Sequence, residues 1–134
     1  MSDGKRVSGY VTDIERRTLE NESFREVLFT APHMQLVVMV LAPGEDIGME
    51  THTDVDQFIR VEAGKGKALL NGKEHELGDG SAVVIPAGTE HNIVNTSHQG
   101  PLKLYTIYTP PEHPDGTIHK TRAEALVYER EHKH

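Results

Sequence analysis

Apolar side chains in this chain come in short runs broken by turn-forming residues. Gln35–Leu41 is a dense aliphatic and β-branched run that stops at Ala42-Pro43-Gly44, which predicts a strand ending in a turn. A second run, 57–62, carries Phe58, Ile59 and Val61. Strand parity puts Gln57, Ile59 and Val61 on its inner face and Phe58 and Arg60 on its outer face. Residues 67–70 and Lys73–Leu77 flank Asn71-Gly72, a pair suited to the two positive φ angles of a type I′ hairpin. Further strands are predicted at 24–30, Ala82–Ile85, His91–Asn95 and 102–108. Turn signals at this density predict an all-β sandwich or barrel.

The two ends read differently. Residues 15–21 suit a short helix or an irregular N-terminal arm. Thr121-Arg-Ala-Glu124 has capping-box form ahead of Ala125, Leu126 and Tyr128, which predicts a short C-terminal helix. It should fray into the charged tail that holds His132 and His134, where the histidines are not expected to act as ligands. No internal repeat or linker is visible, so 1–134 is predicted to be a single domain.

Composition narrows the functions open to such a fold. The 134 residues are 36% hydrophobic and 26% charged, as in a globular protein with a real core. No apolar run is long enough for a membrane helix, and the first seven residues lack the apolar stretch of a secretory leader. The cytoplasm is the predicted compartment. With no cysteine, thiolate metal sites and cysteine nucleophiles are excluded, so a metal would need nitrogen and oxygen donors. A net charge of −7 argues against nucleic-acid binding.

Glu50 and His52 are two residues apart, so on an extended segment both side chains share a face. His91 stands on a second extended segment, just after Pro86-Ala-Gly88. Together they offer one carboxylate and two imidazoles. Two histidines and a carboxylate suit divalent iron, and equally manganese, cobalt, nickel or zinc.

The spacing around these residues resembles that of the cupins. Gly44, five residues, Glu50, one residue, His52, four residues, Gln57, six residues and Gly64 follow the first cupin motif. Gly80, Pro86, Gly88, His91 and Asn95 follow the second without a gap. These motifs span 44–95, and flanking strands extend the likeness to 37–108. The resemblance implies a jelly-roll β-barrel binding one divalent transition metal through Glu50, His52, Gln57 and His91. Two positions depart from the pattern: Glu50 stands where cupins carry a histidine, and Gln57 where they carry a glutamate. The anionic ligand has moved rather than vanished, so the charge of the set is kept. Gln57 is expected either to coordinate or to hydrogen-bond another ligand. This variant resembles small bacterial cupins with a likeness to mannose-6-phosphate isomerase.

Three functions fit these observations. One is a metal-dependent isomerase, epimerase or lyase acting on a small oxygenated or sugar-like molecule. The second is an iron or manganese dioxygenase. The third is a non-catalytic metal- or ligand-binding module, favoured by the lack of an evident acid or base beside His52 and His91. Tyr105, Tyr108, His75, His98, His113 and His119 are candidates for a pocket mouth, but none is singled out as catalytic. Segment 110–119 is either a flap or a rigid crossover. A sugar phosphate would require an inward-facing cation. Lys65, Lys67, Lys73 and Lys103 all read as solvated. Small cupins commonly pair through strand edges and an N-terminal arm, so a homodimer is expected.

Overall fold

The computed structural model describes residues 8–132. The N-terminal heptapeptide read for a leader and His134 of the tail lie outside them. Helix α1 (Ile14–Glu20) is followed by nine strands: β1 (Arg25–Thr30), β2 (Gln35–Leu41), β3 (Asp56–Ala63), β4 (Gly66–Leu70), β5 (Lys73–Leu77), β6 (Ala82–Ile85), β7 (His91–Asn95), β8 (Leu102–Thr109) and β9 (Ile118–His119). Helix α2 (Arg122–Glu131) closes the described chain. A six-stranded sheet has the order β9-β1-β2-β8-β3-β6, and a three-stranded sheet the order β5-β4-β7. All pairings are antiparallel, and the two inner faces share one core. This is the predicted jelly roll.

Strand parity fixes which side chains enter the core. Along β3, Gln57, Ile59 and Val61 are buried, while Phe58 and Arg60 are only partly covered. The hairpin turn at Asn71 (φ +50°) and Gly72 (φ +83°) has the two left-handed residues of a type I′ turn. Gly64 combines a φ of +111° with a site where a Cβ would lie 2.5 Å from the Pro101 carbonyl oxygen. A side chain there meets both backbone strain and a clash.

The ends resolve into helices. Asp13 caps α1, accepting from the Arg16 N–H at 3.2 Å. Lys103 donates to the Leu19 carbonyl at the end of α1 in an exposed contact, facing away from the barrel interior. Thr121 caps α2 by accepting from the Glu124 N–H. Glu124 reaches back to the Lys120 N–H rather than to the cap's own, a capping box displaced by one residue. The charged tail stays helical to Glu131, because the His132 ring stacks on Tyr128 (centroids 4.0 Å apart) and its Nδ1 bonds the Tyr128 carbonyl.

Candidate metal centre

The segment carrying Glu50 and His52 is not a regular strand. It is an extended stretch tied down by isolated bridges, Asp46 with Val94 and Glu50 with His91. Gly48, with φ +110°, interrupts any continuous ladder. The second bridge matters most: the Glu50 N–H donates to the His91 carbonyl at 2.9 Å, and the His91 N–H donates to Glu50 at 2.8 Å. Two residues exchanging both backbone bonds project their side chains to the same side. The Gly88 N–H also bonds the His52 carbonyl at 2.7 Å. Gly88, at φ +88°, makes the turn that sends the chain into His91.

One donor atom from each of Glu50, His52 and His91 falls in a group whose members all lie within 4.8 Å of one another. That separation lets a single ion reach all three. The imidazoles are oriented by their other nitrogens. His91 Nδ1 lies 2.9 Å from the Thr89 carbonyl oxygen, so it carries the proton and leaves Nε2 free to ligate. His52 Nδ1 lies 3.5 Å from the Glu112 carboxylate, while its Nε2 is 3.3 Å from Glu50 Oε1. The hydrogen bond with Glu50 holds the His52 imidazole above its usual range, against a smaller opposing effect of burial. A metal taking that place must displace a proton.

Gln57 is buried within the large sheet. Its Nε2 donates to the Thr106 hydroxyl at 3.0 Å, while its Oε1 has no hydrogen-bond partner among the described residues. An orphaned amide oxygen in a buried setting is costly. Thr106 fixes the amide so that its oxygen is the atom left over, which fits a divalent cation as its partner.

Other motif residues do structural work. Asn95 donates to the carbonyls of Leu41 and Gly100 and accepts from the Ser97 N–H, ordering the loop before β8. Tyr108 is buried with its ring edge-on to both His52 and His113, and burial raises its phenol above the usual range. Tyr105 faces outward beside Phe58. His75 and His98 are exposed and do not reach the centre.

Segment 110–119 is a clamped crossover that covers the centre. Gln35, fully buried on β2, accepts from the backbone N–H groups of Glu112 and His113 and donates to the His113 carbonyl at 2.7 Å. This clamp delivers Glu112 to His52. Sequence reading did not single out Glu112, since no spacing rule links it to a histidine 60 positions away. Its carboxyl is raised above the ordinary range, first by burial and then by Glu50 and Asp54, with His52 opposing. His113 is pushed down to about 3 by burial and by the charges of Arg25, His52 and His119.

A cavity of about 940 Å³ opens beside Glu50 and Glu112, bordered by Arg25, His113, His119 and Tyr128. Arg25 was also missed. Its place at the start of a strand gives no sign of an inward cation in the sequence, yet this arginine on β1 is 2% exposed.

Known proteins share this arrangement of strands. The family profile of the cupin domain matches residues 37–108. YrkC of Bacillus subtilis is 47% identical over 126 residues, covering 90% of this chain and 67% of that protein. L612 of Acanthamoeba polyphaga mimivirus is 48% identical over 119 residues, covering 87% of this chain and 74% of that protein, so the likeness extends beyond bacteria. The crystal structure of BH2720 from Bacillus halodurans superposes with a TM-score of 0.86 at 45% identity, covering 88% of this chain and 93% of that one. With both motifs inside the matched segment and their polar residues gathered in the barrel, the chain belongs to the cupin domain family.

Proposed function

We propose that this cupin binds one divalent transition metal through Glu50, His52, Gln57 and His91 and is an enzyme of the isomerase, epimerase or lyase type. Its substrate is a small oxygenated molecule of the kind suggested by the sequence likeness to mannose-6-phosphate isomerase-like cupins. The observation that carries this reading is the carboxyl of Glu112, held beside the donor group on the cavity wall with its proton affinity raised by burial. A carboxyl so tuned is suited to take a proton from carbon and return it. When bound, the ion would supply Lewis-acid stabilisation of negative charge developing on a substrate oxygen. Glu112 takes the proton from the carbon beside that oxygen-bearing carbon and returns it at the neighbouring position. The clamp through Gln35 holds the backbone of Glu112 and His113 in place, and the His113 ring packs edge-on against Tyr108. The presence of this acid/base group weakens the case for a purely binding module.

The two-histidine, one-carboxylate set supports dioxygenase chemistry as a second reading. Oxygen uptake that depends on iron(II) distinguishes it. The protein is further proposed to act in the cytoplasm as a homodimer. No helix among the described residues is long and apolar enough to cross a membrane.

The test begins with metal content per chain, by elemental mass spectrometry on protein purified without tag or chelator. Near-stoichiometric metal is expected in the wild type, with little in Glu50→Ala and His91→Ala despite an intact fold by circular dichroism. Full occupancy in both variants would sink the ligand set. With metal present, proton NMR in D2O follows exchange at carbons beside carbonyls in small sugars and hydroxy-ketones. Exchange that vanishes in Glu112→Gln at metal concentrations that keep the variant loaded supports the enzyme reading.

A further inference from the structure

Arg25 combines burial with a lack of hydrogen-bond partners at two of its nitrogens. Its side chain is 2% exposed, yet Nε and Nη1 have no hydrogen-bond partner among the described residues. The Glu129 carboxylate on α2 comes no closer than 3.6 Å to Nη1, and that side chain is 44% exposed. The guanidinium also sits 5.3 Å from the centre of the Phe24 ring. Neither contact satisfies the buried N–H groups, and a buried cation without hydrogen bonds costs several kcal/mol. No neighbouring histidine removes the need for an anion. His113 and His119 are both held below the usual imidazole range, by burial first and by Arg25 next, so neither supplies a negative partner for it.

Arg25 borders the same cavity as Glu50 and Glu112. We propose that Arg25 is the recognition site for the carboxylate of a small hydroxy- or keto-acid, whose neighbouring oxygen reaches the metal group at Glu50. The second contact rests on the metal-site reading; the first does not. Guanidinium and carboxylate are both planar and form two parallel N–H···O bonds; an end-on pair through Nη1 and Nη2 would give Nη1 the partner it lacks. A carboxylate fits better than a phosphate. The cavity is already bordered by Glu50, Glu112 and Glu129 against Arg25 and Arg130, and a dianion would meet three acids against two guanidiniums. Glu129 occupies the place of the incoming carboxylate at long range and swings away on the exposed helix when the ligand binds.

Thermal melts and calorimetry with glycolate as probe test this, with glycolamide as its uncharged counterpart and inorganic phosphate as the competing anion. The wild type should be stabilised by glycolate in a dose-dependent way and not by glycolamide. Arg25→Met should lose about tenfold or more in glycolate affinity, while its own melting temperature holds or rises because an unpaired buried charge is gone. Glu129→Gln should bind glycolate several-fold more tightly and keeps the test open if Arg25→Met fails to fold. An equal response of wild type and Arg25→Met, no response in either, a response to glycolamide as strong as to glycolate, or a preference for phosphate would each overturn the proposal. Running the series on metal-loaded and chelator-stripped protein separates the two readings. Arg25-dependent glycolate binding in a chain that takes up no metal would sink the enzyme reading alone. Stoichiometric metal with a glycolate response indifferent to Arg25 would sink this proposal alone.

Discussion

Glu112 illustrates how one side chain can tune a centre without belonging to either of its motifs. Its carboxylate faces His52 Nδ1 at 3.5 Å, fixing which nitrogen of that ring is free. Removing such a support typically weakens metal affinity about 10- to 100-fold. Glu112→Gln should therefore bind metal more weakly by roughly that factor in a chelator competition assay, while Glu112→Ala should do worse. Unchanged affinity in both would mean that the Glu112–His52 contact does not orient the ring. Glu50, His52 and His91 were legible in sequence because a two-residue spacing and a Pro-x-Gly turn are local signals. Glu112 and Arg25 were not. Glu112 reaches the centre through the Gln35 clamp, and Arg25 looks like an ordinary strand-end cation until β9 and α2 cover it.

The crossover 110–119 and strand β6 carry the element-level consequences. Burial of the His113 ring, which the crossover itself carries, makes that segment's hold on the barrel sensitive to acid. Above about pH 6.5 the ring is neutral in both folded and unfolded chains. As pH falls from there towards about 3, the unfolded chain takes a proton that the folded one refuses, so stability is lost across that window. His113→Phe should remove on the order of 1–3 kcal/mol of that loss, measured by urea unfolding at neutral pH and near pH 4. Identical acid losses in variant and wild type would discard the idea. His119, also depressed, keeps part of the acid sensitivity in the variant. Most strand boundaries were readable because alternation and turns define them, whereas the flap-or-crossover question turned on a buried amide in β2. At the sheet edge, β6 leaves Val84 66% exposed opposite Phe58, itself beside Tyr105. β5, by contrast, is lined with Lys73, Glu74, His75 and Glu76, which discourages edge pairing. The apolar edge is where the proposed homodimer would form. Val84→Lys should shift the protein to a monomer by light scattering, and a wild type already monomeric at high concentration would refute the dimer.

On the scale of the whole molecule, the proposed ligands are divided between the two sheets. Gln57 stands on β3 of the six-stranded sheet, His91 on β7 of the three-stranded sheet, and Glu50 and His52 on the segment that crosses between them. Within the chain itself, this end of the barrel is joined by the Glu50–His91 bridge and the Gly88–His52 bond. An ion gripping all of these donors would tie the sheets together, and because the unfolded chain scatters them, its binding energy becomes folding energy. Metal at about 100 times its dissociation constant should add about 2.7 kcal/mol. For a chain of this length that corresponds to a rise in melting temperature of roughly 5–15 °C. The rise should disappear in His91→Ala, which cuts the link to the small sheet, and shrink in Gln57→Leu, which removes the orphaned amide oxygen without leaving a void. Since Gln57→Leu also relieves a buried unsatisfied atom, its metal-free form should melt at or above the wild type. A Gln57→Leu protein with both a lower metal-free melting point and a full metal response would show the amide to be a structural bond to Thr106 and nothing more. The opposite pair of results would make Gln57 a ligand whose apo-state strain is repaid when the ion arrives.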